Sequence, residues 1–389
     1  MREDDSQSMR LMVTIEFSQY QYYPCLQCSE PEHIGYRELS DEDKDAILPI
    51  IELSQTKNEA SFGDTIQAVK GLLASRPFIL DLSKDRAPTA FVPKQNADHA
   101  KIKKLQDAQD SYNSELLALL SPVDGFAAWR TCVSAFPHAV PVLQFTDPAT
   151  QGKSILRQAA QLWKAGFERL AIRVTQECSD DIFPIIGQII AFLDSADQLL
   201  LIVDCGQGRT QIAERAEFAK KAVARVVEEL DASQVLSLSA VCLNDTFPSQ
   251  TETKIYESYS WELWREASTG FPFSYGDYAA NRRLKKQSTY MPGDWKAQVV
   301  YALPESWIVY RHANAQDTQG WIDGSKAVMA HAYFDDGIAC WGSSIMKSAA
   351  VGNLDASGSA RFWHGAKINM HIHRQIRYAR DVAISADEF

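Results

Sequence analysis

A (β/α)8 TIM-like barrel with a C-terminal α+β extension is the fold class this sequence predicts, with a doubly wound open sheet as the alternative. Three observations carry it. Six apolar runs of strand length each end on a polar side chain, with helical patterns between them: residues 48–52, 77–81, 140–144, 170–173, 199–204 and 236–244. Runs buried on both faces and separated by helices imply parallel strands. Two further runs, 22–28 and 270–278, bring the number to eight, the count that closes such a barrel. Finally, 389 residues at 46% hydrophobic suit a barrel of about 250 residues plus a smaller unit. Periodicity does not itself show closure, which is why the open sheet stays as the alternative.

The elements follow in order. Residues 1–20 form a polar N-terminal segment, and 21–285 form the barrel. Strand one spans 22–28, and the link at 39–48 opens on Ser40, with acidic residues behind it that suit an N-cap. Ile66, Val69, Leu72 and Leu73 give 62–75 a helical stripe. Between the third and fourth strands the spacing doubles. The polar stretch 84–110 reads as an insertion over the barrel mouth, before a helical pattern resumes at 116–136. Clean helical links follow at 154–165, 180–193 and 213–230, then a short aromatic helix at 259–266. From residue 286 apolar runs shorten and Gly, Ser and aromatics dominate, so 286–389 reads as an appended α+β region, with short strands at Trp307-Ile-Val-Tyr-Arg311 and Phe362-Trp363.

Composition excludes several classes. A formal net charge of −11 argues against broad binding to DNA or anionic lipid. The seven cysteines are irregularly spaced, which suits a reduced, cytoplasmic protein. The longest apolar stretch, 182–193, is too short to span a bilayer and reads as a buried helix. No G-x-S-x-G elbow, Walker motif, H-E-x-x-H or kinase signature occurs.

Candidate chemistry gathers at the strand ends. Glu52, Asp81 and Asp204 each close a buried run, where a charge is costly unless it meets a cation, a ligand or water. Arg173 ends the fifth run and is a candidate for that cation. Asp277 sits where strand eight finishes, in Tyr275-Gly-Asp-Tyr278. Such a set suits a divalent metal such as magnesium with a phosphate substrate, acid–base work, or an internal salt-bridge network. Gln144 and Asn244, closing their own runs, are candidate ligand contacts, as is Arg311. Gly206-Gln-Gly208-Arg209 offers either a phosphate cradle or a plain turn, and the turn is the simpler reading. His371-Ile-His373 presents two imidazoles on one face if extended, without the further ligands zinc requires. Cys25 and Cys28 read as buried thiols, and the basic knot Arg282, Arg283, Lys285 and Lys286 as a solvated face rather than a nucleic-acid contact.

Tyr22-Tyr-Pro-Cys-Leu26, Glu38-Leu39 and Leu48-Pro-Ile-Ile-Glu-Leu53, together with Tyr275-Gly-Asp-Tyr278, Trp307-Ile-Val-Tyr-Arg311 and Phe362-Trp-His … Asn369-Met-His-Ile-His373, resemble the phage beta protein family. The resemblance touches both ends of the chain. It departs where that family shows Trp-Arg and adjacent histidines: here Trp363 precedes His364, and Ile372 splits the histidines. The resemblance implies a component of a phage-related antiviral defence or toxin-control module, acting through a protein partner from the same genetic module. It carries over no catalytic residue. The alternative reading is a metal-assisted phosphoester or nucleotide hydrolase using the strand-end carboxylates.

Overall fold

The computed structural model describes residues 15–55, 61–84, 99–206, 211–230, 237–239, 250–271, 273–280, 295–354 and 359–387. The first half alternates strand and helix: β1 (Tyr23–Gln27), α1 (Glu30–Arg37), α2 (Asp41–Asp45), β2 (Ile50–Leu53), α3 (Phe62–Leu73), β3 (Phe78–Leu82), α4 (His99–Leu119), α5 (Ala127–Val133) and β4 (Ala139–Leu143). Next come α6 (Pro148–Lys164), β5 (Leu170–Thr175), α7 (Ile182–Ile190), β6 (Leu199–Asp204), α8 (Ile212–Leu230) and β7 (Ser237–Ser239). The remainder holds β8 (Gln250–Glu257), α9 (Ser260–Ala267), β9 (Ser274–Asp277), β10 (Lys296–Ala302), β11 (Ser306–Ala315), α10 (Gln319–Met329), α11 (Trp341–Ala350) and α12 (Ala360–Asp387).

The result is a mixed α/β fold built on a curled parallel sheet flanked by helices. Its ladder runs β1-β2-β3-β4-β5-β6-β7-β9. β9 pairs in parallel with both β7 and β1, through two residue pairs on each side. Alternation along each strand divides the side chains between two cores. Tyr23, Cys25, Leu48, Ile50, Ile79, Val140, Val142, Ala171, Leu200 and Ile202 fill the inside of the curl. Leu26, Ile51, Leu80, Leu143, Ile172 and Leu201 point outward into the helical layer. Phe17 and Tyr20 belong to the inner core, and Phe17 O accepts from the Tyr23 hydroxyl at 2.5 Å. Residues 15–20 therefore seal the floor of the curl, and only the first fourteen residues of the expected polar segment lie outside the described part.

Local chemistry sets the helix starts. Ser61 caps α3, accepting from Asp64 N while Asp64 Oδ2 accepts from Ser61 N at 2.9 Å. Asp147 and Pro148 open α6. Ser40 does cap a helix, but α2 lasts only five residues. The polar stretch before residue 116 is also helical from His99 onward, with Tyr112, Leu116 and Leu119 buried at helical spacing and Gln109 buried among them. Residues 85–98 of the expected insertion lie outside the described part.

A second, antiparallel sheet has the order β10-β11-β8. β8 comes from between β7 and β9, so the small sheet draws one strand from inside the sequence of the large one. Its core holds Val299, Tyr301, Trp307, Val309, Trp321 and Trp363. Phe362 and Trp363, expected in a strand, lie in the long helix α12. That helix serves both cores: Ile368, Ile372 and Ile376 join the outer layer of the large sheet, and Trp363 and Met370 join the small one. Asn369 ties the seam, donating from Nδ2 to Gly35 O at 3.1 Å and accepting from Gly342 N at 2.9 Å.

Backbones meet closely along that seam. A Cβ on Gly35 would stand 2.9 Å from Gly365 O and from Ile368, and one on Gly342 would stand 2.3 Å from Ala366 O. Gly71, in the exposed part of α3, has nothing within 4 Å of such a Cβ. Gly35→Ala is therefore expected to destabilise the fold by about 1–3 kcal/mol through overpacking. Gly71→Ala is expected to stabilise it by about 0.5–1 kcal/mol through helix propensity. Urea midpoints of the two variants measure both.

Candidate functional site

Alternation explains what meets at the strand ends. Continuing the inner rows Tyr23-Cys25, Leu48-Ile50, Ile79, Val140-Val142, Ala171 and Leu200-Ile202 by two residues reaches Gln27, Glu52, Asp81, Gln144, Arg173 and Asp204. Parallel register sets Gln27 beside Glu52 and Glu52 beside Asp81. Arg173 lies at the centre. Its Nη1 donates to Glu52 and, at 2.8 Å, to Asp81; its Nε donates to Asp204 at 3.1 Å. Nη2 donates to the Tyr278 hydroxyl at 3.0 Å and lies 2.8 Å from Asp204 Oδ2. The phenol in turn donates to Asp204 at 2.7 Å.

A second tier of donors fixes the carboxylates. Gln27 Nε2 donates to Glu52 at 3.3 Å, and Gln144 Nε2 to Asp81 at 3.0 Å. Leu82 N reaches Asp81 at 2.7 Å, and Gly206 N reaches Asp204 at 2.9 Å. From the helical layer, Gln158 clasps the Gln144 backbone, accepting from its N and donating to its O at 2.8 and 2.9 Å. The Arg173 side chain is 10% exposed and the three carboxylate side chains 4% or less. Burial works to raise the Asp81 carboxyl, but Arg173 and the Gln144 amide outweigh it and leave it below its usual range. Burial likewise opposes the Arg173 charge, and Asp204, Tyr278 and Glu52 more than restore it.

In this cluster all three carboxylates are paired with Arg173. The guanidinium occupies the space between carboxylates that a divalent ion would need. Among the described residues, no group of three or more His, Cys, Asp or Glu could hold a metal ion. The residues present therefore do not fit the magnesium that the hydrolase alternative implies.

Asp277 corrects the expectation that it joins this set. It follows Tyr275 on the outward face of β9, so Tyr278, one residue on, turns inward and meets Arg173 and Asp204. Asp277 instead accepts from Tyr22, from Tyr275 at 3.0 Å, from Ala279 N at 2.8 Å and from His371 Nε2 at 2.8 Å. Burial raises its carboxyl, but His371, the Tyr22 hydroxyl and the Ala279 N–H prevail and hold it below the ordinary value. His371 and His373 do not share a face, because α12 is a helix. His373 Nδ1 lies 2.8 Å from buried Asp43, whose carboxyl burial raises and His373 more than offsets.

The other candidates disperse. The Gly206 N–H, offered as part of a phosphate cradle, is already committed to Asp204, and Gly208, Arg209 and Asn244 lie outside the described residues, as does the basic knot at 282–286. Arg311 sits on β11 in the small sheet, paired in register with Gln298 and Gln250, away from the strand-end cluster. Cys25 and Cys28 are buried, with burial pushing the Cys28 thiol up to about 12. Gln27, Tyr278 and Gln158 were not foreseen. The first two were available from the two-residue period; Gln158 carried no signal beyond its place on a helix.

The fold and site together define a mixed α/β protein whose curled parallel sheet is cross-linked at its strand ends by a buried ionic cluster. The chain belongs to the Beta protein family, whose profile matches residues 22–377. It is similar to "Protein beta" of Enterobacteria phage P4, 23% identical over 384 residues, covering 96% of this chain and 98% of that protein. No solved structure matches it. These relations make it a phage-related protein. No helix among its described residues is long and apolar enough to cross a membrane.

Removing the central cation tests the cluster. Arg173→Met leaves three buried carboxylates without their counter-ion and is expected to cost about 3–5 kcal/mol or to prevent folding. Adding Glu52→Gln and Asp81→Asn to that variant is expected to restore part of the loss, a non-additivity measurable by urea titration. Acid provides a second test. Asp43, Asp81 and Asp277 are depressed in the fold, so the stability they contribute is present above the unfolded value near about 4 and is lost as pH falls through their folded values. Asp277→Asn is expected to be less stable than the parent at pH 7 and to lose less between pH 5 and pH 3, by denaturant midpoint at each pH.

Proposed function

We propose that this chain is a phage-related component of an antiviral defence or toxin-control module, cytoplasmic, acting through a protein partner on a (β/α)8 barrel scaffold. The observation that supports this most is the mutual saturation of the strand-end charges: Glu52, Asp81 and Asp204 are all bonded to Arg173 and buried. A site of that kind holds strands together and leaves recognition to surfaces. On this reading the appended region 286–389 and the segment 84–110 supply the contact surface, and the barrel of 21–285 supports them.

The opposing reading is a phosphoester or nucleotide hydrolase that uses Asp204 and Glu52 as acid–base groups, and the pairing of both with Arg173 counts against it. One experiment separates the two. The chain is expressed in its own genetic module, and phage plating efficiency or relief of toxicity is scored for the parent and for Glu52→Gln, with folding checked by circular dichroism. A binding component keeps its effect in folded Glu52→Gln. A hydrolase loses it by about a hundredfold or more.

A further inference from the structure

Away from the strand-end cluster, β11 places Tyr310 and His312 two residues apart on one face, and Asp317 follows just before α10. The Tyr310 hydroxyl lies 3.1 Å from His312 Nδ1, and His312 Nε2 lies 3.0 Å from Asp317 Oδ2. The backbone N–H of Gln319 bonds Asp317 at 3.0 Å and, with His312 beside it, holds that carboxyl below its usual range. An ionised Asp317 only accepts, so His312 Nε2 carries the proton and donates. In the neutral ring Nδ1 is then the acceptor and the phenol donates to it.

We infer that Tyr310 is a base-activated nucleophile, with His312 as its general base and Asp317 as the positioning residue, that accepts an acyl group from a neutral ester. Nucleophile, base and orienter within hydrogen-bond reach form the arrangement that activates a hydroxyl. α10 is shaped to these two rings. A Cβ on Gly324 would stand 2.5 Å from the Tyr310 ring, and one on Gly320 would stand 2.6 Å from the His312 ring. The relay runs from a buried ring to the surface: Tyr310 is 6% exposed, and the side chains of His312 and Asp317 are 14% and 35% exposed. Burial, Asp323 and Asp317 all push the Tyr310 phenol above its ordinary value, so it attacks only as His312 takes its proton, and the negative charge of the two aspartates favours a neutral carbonyl over a phosphate. In the step, Tyr310 Oη bonds the carbonyl carbon as His312 Nδ1 takes the phenol proton. The ester C–O bond then breaks, the leaving oxygen takes that proton from His312, and O-acyl-Tyr310 remains. This inference is independent of the partner-binding reading.

The full chain is incubated with p-nitrophenyl acetate, and acetyl occupancy at each tyrosine is followed by peptide mass spectrometry. Tyr333, 64% exposed, is the reference. Tyr310 is expected to acetylate at least about tenfold faster than Tyr333, and His312→Gln is expected to slow it by about a hundredfold. Asp317→Asn is expected to slow it less and to move the pH at which its rate is half-maximal. Where His312→Gln fails to fold by circular dichroism, the rate and pH profile of Asp317→Asn decide the outcome. A Tyr310 rate no greater than that of Tyr333, or one unchanged in the folded variants, overturns the inference.

Discussion

One guanidinium holds the ends of the large sheet in place. Arg173 reaches β2, β3 and β6 directly through Glu52, Asp81 and Asp204, and Tyr278 just beyond β9. Gln27 and Gln144 extend the same network to β1 and to the end of β4. Parallel strands have no hairpins to fix their relative heights, so this ionic row and the apolar layers beneath it set the register. The arrangement is costly to bury and more costly to break, because any lost member leaves its partners charged in a low-dielectric interior.

The helical side of the molecule depends on α12 in the same way. Histidines anchor it to the large-sheet side: His371 on Asp277, and His373 on Asp43 of α2. His371 also stacks on Trp307 of the small sheet, with ring centroids 5.8 Å apart. A single helix thus reads both cores, and small residues at Gly35, Gly342 and Gly365 let its neighbours approach.

The strand ends were legible because Glu52, Asp81, Arg173 and Asp204 each interrupt an apolar run at a point where the two-residue period keeps them inside. Asp277 misled because it is the charged residue of its run, whereas the two-residue period gives the inner place to Tyr278. Helix α12 was hidden for a different reason. From Trp363 to Ile376 it is buried on nearly every side between two cores, so it shows no single apolar stripe and its short aromatic and histidine clusters resemble strands. β8 escaped because Gln-Thr-Glu-Thr-Lys-Ile-Tyr-Glu is mostly polar, as suits the edge of a three-stranded sheet. The start of α4 escaped because Gln109 breaks the apolar line on its buried face.

The excursion of β8 has a topological consequence. The chain lays down an edge strand of the small sheet before β9 joins the large one, and returns with β10 and β11 only afterwards. Neither sheet is a contiguous stretch that a ribosome could release and fold ahead of the other. A protease nick between residues 258 and 273 would split both sheets at once, leaving β8 with the first seven strands of the large sheet and β9 with β10 and β11.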